Sequence, residues 1–458
     1  MAGSGVLVLS HCTHSFVEPI SALLKGKGLL CFILSSKAEM QLEERAKHLQ
    51  EISQWHQITD NFELCWGDAE TALRRLDELG HETVACISVW EGYRSLMAMI
   101  NNQLDVEDLT NDKIQLLTNK LKLRQKLFAS GLSKVTSEPL DQATFERLKS
   151  KCKKSGIQKF IKPYRGIASF GTCRLTEDLE WHQIENIARE WKSDLVFKAI
   201  FADNDPFMVE DYITGTEVSF EVVFAGQQAF ILAVHEKIEV NSKTTTTLES
   251  ACVCPPLSIN ETNLFIGAEW LKKVLKALDI NAGCFHIEAK THEGNWEIIE
   301  INPRIGGALI SDSVKYFTKG YSLLEAWLDS LISARDQWQD RNSGIKSLQE
   351  KLFNLDVACQ GNSPKQLATF FRVYFAGKGR IAKVEQRELA IKPCLTQVFV
   401  KEGSSFSSDD KENFVGQALW VQSMADMQEN IEALLHQSKS LINIQLTDST
   451  LEAEAIYA

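Results

Sequence analysis

The chain has no long hydrophobic run, no paired cysteines and no surplus of positive charge. None of its apolar stretches in 458 residues approaches the roughly 18 that a membrane-spanning helix needs, so we expect no membrane segment. The opening MAGSGVLVLSHC lacks the basic region of a secretory signal. The 11 cysteines are scattered without CxxC spacing, which favours reduced thiols over a disulfide framework. We therefore expect a soluble, cytoplasmic protein.

Several classes of function are disfavoured by further absences. With 49 basic and 61 acidic residues, the formal charge is −12, so the basic surplus of a nucleic-acid binder is missing. The 10 histidines include no HExxH spacing, and no GxGxxG follows the first apolar run. These absences argue against a zinc hydrolase and against dinucleotide binding near the start of the chain. The length predicts about three domains.

Short apolar runs alternate with amphipathic stretches through the first hundred residues. Runs such as Val6–Leu9 and Val84–Val89 are typical of buried strands, and the stretches between them have helical spacing. Because strand, helix and strand in sequence form a parallel sheet with crossovers, we expect an α/β domain first. The expected domains are 1–110, then 111–335 with a small lobe at about 135–210 and a large lobe at about 211–335, and an α+β domain over 348–458.

Three local patterns give finer expectations. Lys113–Ser130 is amphipathic throughout and predicts one long helix. Asp336–Ser347 is polar and without periodicity, which predicts a linker. Ala368–Tyr374 and Gly379–Val384 flank four turn-forming residues and predict a β-hairpin.

The strongest chemical signal is WEIIEINPR at Trp296–Arg304. Period-two alternation places Glu300 and Asn302 on one face of a strand, and the strand before it carries Glu288. If the two strands form a hairpin, Glu288 and Glu300 lie close together. Like charges that close favour a divalent cation, and oxygen ligands favour Mg²⁺. Arg304 would lie beside this cluster and could neutralise a phosphoryl or acyl anion; the alternative is an edge hairpin with solvated acids.

A second signal is the segment Lys159–Gly171, in which an apolar strand ends at Lys162 and a loop of small residues follows. Backbone N–H groups of such a loop, which includes Ser169, can bind phosphates while the lysine contacts a phosphate oxygen. The GxxxxGK[ST] pattern of a Walker loop is absent. Alone, this segment fits an ordinary strand-to-loop exit equally well.

Taken in order, these motifs resemble the ATP-grasp superfamily of carboxylate–amine ligases. The matching segments are Asn119-Lys120, Lys162-Pro163, Glu210–Ile213, Gly215–Glu217, Glu288 and Glu300–Gly307. The resemblance runs to about residue 335, and the first domain resembles the pre-ATP-grasp domain. The tail resembles the C-terminal domain of the L-amino-acid ligases, which join free amino acids into dipeptides. The implied fold class is a multi-domain α/β and α+β chain with an ATP-grasp fold.

The resemblance implies a role for each matching residue. For ATP, these are Lys120 and Lys162 at the phosphates, Ser169 in the loop, backbone groups of Glu210, Asp211 and Ile213 at adenine, and Glu217 at the ribose. For Mg²⁺, or Mn²⁺ in its place, they are Glu288, Glu300 and Asn302. Arg304 would stabilise the acyl phosphate, and the substrate pocket would contain Glu249, Cys252, Arg304 and Gly307.

One position departs from the pattern of the amino-acid ligases. Their pocket has Glu-x-x-His-x-x-Pro, and here Glu249 and Pro255 keep the pattern while Cys252 replaces the histidine. We expect Cys252 to line the pocket or the core rather than to act as a nucleophile, because no partner base is identifiable in the sequence. His235 is a weaker candidate to replace the histidine.

The resemblance implies an ATP- and Mg²⁺-dependent ligase that forms an amide through an acyl phosphate, acting on amino acids or on a specialised-metabolite carboxylate. Two alternatives stay open. One is a ligase or carboxylase acting on bicarbonate or a nucleotide precursor, and the other is a regulatory protein that binds ATP without turnover. The expected partners are a small carboxylate and an amine, with no nucleic acid and no membrane, and the family allows a homodimer.

Overall fold

The computed structural model of the protein describes residues 3–12, 16–37, 42–167, 169–193, 200–201, 207–242, 246–333, 341–358, 367–406 and 413–447. None of the helices in these residues is long and apolar enough to cross a bilayer. The architecture is mixed α/β and α+β, with one parallel sheet and three further sheets, which confirms the expected fold class.

The first sheet is parallel, with strand order β3-β2-β1-β4. Its core consists of buried aliphatic side chains from the strands and from the inner faces of the helices. The expected α/β unit is confirmed. Its elements are β1 (Ser4–Ser10), α1 (Val17–Gly26), β2 (Leu30–Ser35), α2 (Leu42–Ile52), β3 (Trp55–Ile58), α3 (Trp66–Glu78), β4 (Glu82–Ile87), a 3₁₀ turn (Glu91–Tyr93) and α4 (Arg94–Gln103).

Two helices follow where the sequence predicts one. They are α5 (Asn111–Thr118) and α6 (Lys120–Ala129), so the single helix predicted over Lys113–Ser130 is wrong. Asn119 between them has an extended backbone, and its side chain accepts a hydrogen bond from the Lys122 amide, which is the geometry of an N-cap. The break turns the chain, and the Lys120 amide donates to the carbonyl of Tyr164 at 2.8 Å.

A small lobe is built on a four-stranded sheet with the order β5-β8-β6-β7. Its core contains Trp191, which stacks on Phe201 at 4.2 Å. Strand β6 packs in this core, and the loop of small residues follows it directly in the chain. The elements are β5 (Ser137–Pro139), α7 (Gln142–Ser155), β6 (Lys159–Pro163), β7 (Cys173–Arg174), α8 (Trp181–Ser193) and β8 (Phe207–Asp211).

The largest sheet is antiparallel and has eight strands in the order β13-β12-β9-β10-β11-β14-β18-β16. Its strands are β9 (Thr216–Ala225), β10 (Gln228–Ser242), β11 (Thr247–Cys254), β12 (Cys284–His292), β13 (Asn295–Asn302), β14 (Leu367–Phe375), β16 (Leu395–Val398) and β18 (Phe414–Ser423). A three-stranded sheet contains β15 (Gly379–Gln386), β17 (Ser405–Phe406) and β19 (Ile442–Thr447). The helices are α9 (Glu261–Ala277), α10 (Ile310–Val314), α11 (Leu323–Ser333), α12 (Arg341–Phe353) and α13 (Met424–Ser438).

Two local expectations for the last third of the chain are wrong. Strand β14 pairs with β11 and β18, whereas β15 pairs with β17 and β19, so the two do not form a hairpin. Phe370 and Phe371 of β14 are both buried and pack in different clusters, as expected of a strand whose sheet is covered on both faces. Residues 341–347 of the predicted linker lie in α12, whose Leu348 and Leu352 join the core, and 334–340 lie outside the described residues. The domain boundaries stay predictions.

The first domain is tied to the segment after β13 by Arg94. Its side chain is fully buried, and it contacts both oxygens of Asp108 at 2.9 and 3.1 Å. Its Nε donates to the carbonyl of Pro303 at 2.7 Å, and the guanidinium lies 5.4 Å from the ring of Trp327. One buried side chain therefore fixes the backbone directly before Arg304.

We expect Arg94→Met to lower the stability of the protein by about 3–5 kcal/mol, because it leaves the Asp108 carboxylate buried without its partner. The matched control is Arg75→Met, which removes the exposed Arg75–Glu78 pair and should cost only about 0–1 kcal/mol. The measurement is the denaturant midpoint of each variant by circular dichroism. Equal midpoints for the two variants would contradict the assignment.

Candidate active site

A cleft of about 1040 Å³ lies where the small lobe, the eight-stranded sheet and the first domain meet. A pocket for one drug-sized ligand has about 300–1,000 Å³, so the cleft has room for a large ligand with a second molecule beside it. Most of the residues that the sequence singles out line it. They are Lys120, Lys162, Ser169, Glu210, Ile213, Glu217, Glu249, Cys252, Glu288, Glu300, Asn302, Arg304 and Gly307.

The expected acidic hairpin is confirmed by the pairing of β12 and β13. The two strands are antiparallel, with Glu288 directly opposite Glu300. Asn302 donates from its side-chain amide to Glu300 at 2.9 Å. Burial opposes ionisation of Glu300, but nearby Lys120 and the Asn302 hydrogen bond outweigh it and lower its pKa to about 2. Glu300 is thus an anion over the whole physiological range.

The two lysines reach the cleft from different elements. Lys120 Nζ is 3.1 Å from a Glu300 oxygen and 3.3 Å from the carbonyl of Gly166. Burial opposes its charged form, yet Glu300 and Glu91 raise the pKa of Lys120. Lys120 is not a solvated surface lysine, because its side chain is only 8% exposed.

Lys162 at the end of β6 faces Glu210 of β8. Its Nζ is 2.6 Å from Glu210 and 3.2 Å from the carbonyl of Ile299. The second oxygen of Glu210 accepts from Arg124 at 2.9 Å. Burial disfavours the Glu210 carboxylate, but Lys162 and Arg124 lower its pKa. Arg124 also contacts Glu297 at 2.6 Å, so the two buried cations of this corner face two carboxylates.

At the end of β8, where we expect backbone contacts to adenine, the Asp211 side chain is turned away from the cleft. The Asp211 side chain lies 2.7 Å from Lys159 and accepts from Thr136, and Asp211 does not line the cleft. Tyr212 and Ile213 do line it. The Tyr212 ring is covered by Arg174 at 4.1 Å and by the Lys290 ammonium at 4.9 Å.

Lys237 is a central residue that the sequence analysis missed. Its ammonium is 2.9 Å from Glu217 and 3.0 Å from Glu288, and it contacts Glu249. Burial alone would lower its pKa, but the three carboxylates raise it well above the usual value. Burial, together with Glu288 and Glu217, raises the pKa of Glu249 well above its ordinary value. Lys237 lies in the polar stretch HEKIE of β10, and no motif in the sequence marked it.

Three carboxylates in this part of the cleft have the spacing of a metal site, and the Lys237 ammonium contacts all three. Among the described residues, one group of at least three metal-type side chains has ligand atoms within 4.8 Å of one another, and it is Glu217, Glu249 and Glu288. Glu288 therefore belongs to two acidic groups, since it also lies opposite Glu300. All of these donors are oxygens, which hard cations such as Mg²⁺ prefer.

Arg304 is positioned by the first domain. Its Nε is 3.1 Å from Glu91 in the 3₁₀ turn, and its Nη1 donates to the carbonyl of Ile305 at 3.0 Å. Arg94, three residues after Glu91, contacts the carbonyl of Pro303. No pattern in the sequence indicates this link, because 213 residues separate Glu91 from Arg304.

Cys252 lies in the cleft wall, but His235 does not. His235 is buried, its Nε2 is 2.9 Å from the Ser313 hydroxyl, and it is absent from the cleft lining, so the suggestion that it replaces the family histidine is wrong. On the sheet side, His286 lines the cleft and contacts Glu221 at 2.9 Å and Glu288 at 3.3 Å. Burial alone would lower its pKa, but Glu221 raises it to about 10.

Two glycines after β13 let the chain pass close to this site. A Cβ at Gly306 would lie 2.8 Å from His286 Nδ1, whereas one at Gly307 would meet nothing within 4 Å. Gly306 therefore permits the close approach, and Gly307 leaves open space in the cleft. Ser169 on the opposite loop has a left-handed backbone, and its carbonyl accepts from the Thr246 hydroxyl at 2.9 Å.

Comparison with known proteins agrees with this geometry. Residues 156–312 match the ATP-grasp domain family. The carbamoyl phosphate synthase large chain of Caldanaerobacter subterraneus subsp. tengcongensis is 28% identical over 99 residues, which are 22% of this chain and 9% of that protein. The matched segment is thus under a tenth of that relative's length.

Two solved structures resemble nearly the whole chain. The L-amino acid ligase of Bacillus licheniformis superposes with a TM-score of 0.68 at 16% identity, over 98% of this chain and 99% of the other. The biotin carboxylase domain of Hydrogenobacter thermophilus 2-oxoglutarate carboxylase, in complex with MgADP and bicarbonate, gives 0.62 at 13% identity, over 96% and 91%. At these identities the likeness shows the fold.

We expect the Cys252 thiol to resist alkylation. Burial, and then the neighbouring Glu249, raise its pKa well above the usual value, so the thiolate that reacts is scarce. Cys65 and Cys394 are exposed and serve as internal controls. Peptide mass spectrometry after iodoacetamide at pH 8 should find both controls labelled and Cys252 intact, and raising the pH to 9 should speed the controls alone. Rapid labelling of Cys252 would make it a reactive thiol instead.

Proposed function

Because residues 156–312 form an ATP-grasp domain within a chain that has the fold of ATP-grasp ligases and carboxylases, we propose that this protein is a carboxylate–amine ligase that forms ADP. The observation that carries the proposal is the assembly in one cleft of two buried lysines, two facing carboxylates and an arginine. These groups offer positive charge for phosphates and oxygen donors for a metal, side by side.

The phosphates of ATP fit between Lys120 and Lys162. Both lysines now contact carboxylates, at Glu300 and Glu210 respectively, and both are placed so that a phosphate can share their charge. Ser169 and the rest of the small-residue loop would close over the phosphates with backbone N–H groups. Closure matters because water would hydrolyse an activated carboxylate.

Glu288, Glu300 and Asn302 would hold Mg²⁺, and Mn²⁺ takes similar oxygen ligands. When bound, the ion supplies positive charge at the β- and γ-phosphate oxygens. The protein's own part is to keep the two carboxylates ionised and aimed at one point. Lys120 and the Asn302 hydrogen bond do this for Glu300, and Lys237 and His286 do it for Glu288.

We assign adenine to backbone groups at the end of β8, in Glu210, Asp211 and Ile213, and the ribose to Glu217. Tyr212 and Ile213 line the cleft there. The Glu210 side chain is taken up by Lys162 and Arg124, which supports a role for its backbone alone. Glu217 is held by Lys237 and Lys290, so its carboxylate stays available as a hydrogen-bond acceptor.

The reaction has two steps. A carboxylate oxygen attacks the γ-phosphorus, and the bond from this phosphorus to the β–γ bridging oxygen breaks, which gives an acyl phosphate and ADP. An amine then attacks the acyl carbon, the bond from this carbon to the phosphate oxygen breaks, and the nitrogen loses a proton. Arg304 neutralises the anionic oxygens of the acyl phosphate, and Glu249, Cys252 and Gly307 line the pocket for the substrates.

Amino acids are the substrates that we favour. Bicarbonate, the alternative carboxylate, has no side chain, whereas the cleft continues past Arg304 into a wall of apolar residues. A regulatory protein that only binds ATP would have no use for an arginine held in place by Glu91. A cytoplasmic location and a homodimer remain expectations from the sequence.

Glu300→Gln should lower amine-dependent ADP formation by about 100-fold or more, since loss of a metal ligand removes several kcal/mol of charge stabilisation. The control is Glu293→Gln in the turn of the same hairpin, where the side chain is 81% exposed. The assay measures ADP release in the presence of pairs of amino acids, and each member of a pair is omitted in turn. Full activity of Glu300→Gln would contradict the metal assignment, and ADP release that needs no amine would contradict the ligase.

A further inference from the structure

One wall of the cleft becomes apolar directly beside the charged cluster. Lys237 of β10 lies opposite Cys252 of β11, which lies opposite Phe371 of β14, which in turn lies opposite Leu419 of β18. A single row across the sheet thus changes from an ammonium to a thiol, a phenyl ring and an aliphatic side chain. Cys252, Phe371 and Leu419 pack in one cluster of buried residues.

The same face continues along β14. Because side chains alternate along a strand, Val373 and Phe375 point to the side of Phe371, and all three line the cleft. Ile310 at the start of α10 and Phe414 at the start of β18 complete the surface. We call these residues, with Cys252, the apolar wall: Cys252, Ile310, Phe371, Val373, Phe375 and Phe414.

The apolar wall carries no charged side chain, and its one polar atom is the Cys252 sulfur. Burial keeps that thiol protonated at neutral pH, so it behaves as a small hydrophobic group. A histidine at this position, as in the amino-acid ligases that the sequence resembles, would place a polar ring between Lys237 and Phe371. The cysteine instead leaves the apolar surface continuous up to the charged cluster.

The first domain supplies further nonpolar lining to the same cleft. Trp90 stacks on His11 with ring centroids 4.4 Å apart and planes 7° apart, and both rings line the cleft together with Phe16 and Val89. A ligand beside Arg304 therefore has an apolar wall on the sheet and aromatic rings on the first domain to contact.

We propose that one of the two co-substrates is an amino acid with a large, uncharged apolar side chain, aliphatic or aromatic, which packs against the apolar wall. The reaction of this amino acid rests on the proposed ligase function, whereas its binding rests on the cleft alone. Burying such a side chain is worth about 1.5–3 kcal/mol. A charged side chain would lose its hydration there without gaining a partner.

The first experiment measures binding without chemistry. The protein, with Mg²⁺ and a non-hydrolysable ATP analogue, is titrated with L-leucine, L-methionine, L-phenylalanine, L-alanine, L-aspartate and L-lysine, and the shift in unfolding temperature is recorded. We expect the three apolar amino acids to raise the unfolding temperature most. Equal or larger shifts with alanine, aspartate or lysine, or no shift with any apolar amino acid, would overturn the inference.

The second experiment changes the wall. Val373→Thr replaces a methyl group by a hydroxyl, and Cys252→Ser replaces the thiol by a smaller hydroxyl. Neither change adds bulk, so both variants should fold. We expect each variant to lower the preference for the apolar amino acid over alanine by about 10-fold. The preference is measured as the ratio of the two kcat/KM values or of the two binding constants. Phe265→Ala, at an exposed phenylalanine of α9 that does not line the cleft, should leave the ratio unchanged. An unchanged ratio in both wall variants would overturn the inference.

The two experiments distinguish a failure of this inference from a failure of the proposed function. Apolar amino acids that bind but never yield ADP would support the apolar wall and reject the ligase. Amide formation restricted to small or charged amino acids would support the ligase and overturn the wall. Hydroxylamine in place of the amine traps the acyl phosphate as a hydroxamate, so its formation from an apolar amino acid would identify that amino acid as the carboxylate substrate.

Discussion

Glu288 and Glu300 face each other across two paired strands, and much of the surrounding structure compensates for that arrangement. Two carboxylates at this distance repel each other in a partly buried site. Lys120 is the first residue of α6, whose N-cap is Asn119, and from there it contacts Glu300. Lys237 reaches Glu288 from β10, which is separated from β12 by β9 in the sheet. The lysines balance the acids, and in the proposed function the same lysines and acids bind a nucleotide with its metal ion.

The first domain takes a direct part in the site. Glu91 contacts the guanidinium of Arg304, and Arg94 donates a hydrogen bond to the carbonyl of Pro303, the residue directly before Arg304. His11 and Trp90 line the cleft from the same side. A site assembled from distant segments ties the orientation of Arg304 to the packing of the domains. We infer that a change in this interface would alter the chemistry as well as the stability.

The acidic hairpin could be predicted because its evidence is local. The alternation around Glu300 and the short turn at Gly294 decide which side chains share a face. The same local reasoning failed at Asn119, where helical periodicity continues through an N-cap. It also failed for β14 and β15, whose partners are chosen by burial of Phe370 and Phe371 rather than by the turn between them.

The contributions of Glu91, Trp90 and Lys237 could not be predicted for a different reason. Each depends on contacts between segments far apart in sequence, and none sits in a motif. The polar residues of the motif are visible in one strand, whereas the apolar wall is formed by strands β11, β14 and β18, which are adjacent only in the folded sheet. Local patterns therefore predict the chemistry of the site better than they predict its specificity.

The central claim is that the facing carboxylates and their lysines form a site for a nucleotide with its metal ion. Isothermal titration calorimetry with a non-hydrolysable ATP analogue, with Mg²⁺ and then with a chelator, tests it most directly. Our account predicts one site per chain and an affinity that falls by roughly tenfold or more, about 1.4 kcal/mol, when Mg²⁺ is removed. Equal affinity with and without Mg²⁺, or no binding at all, would contradict it.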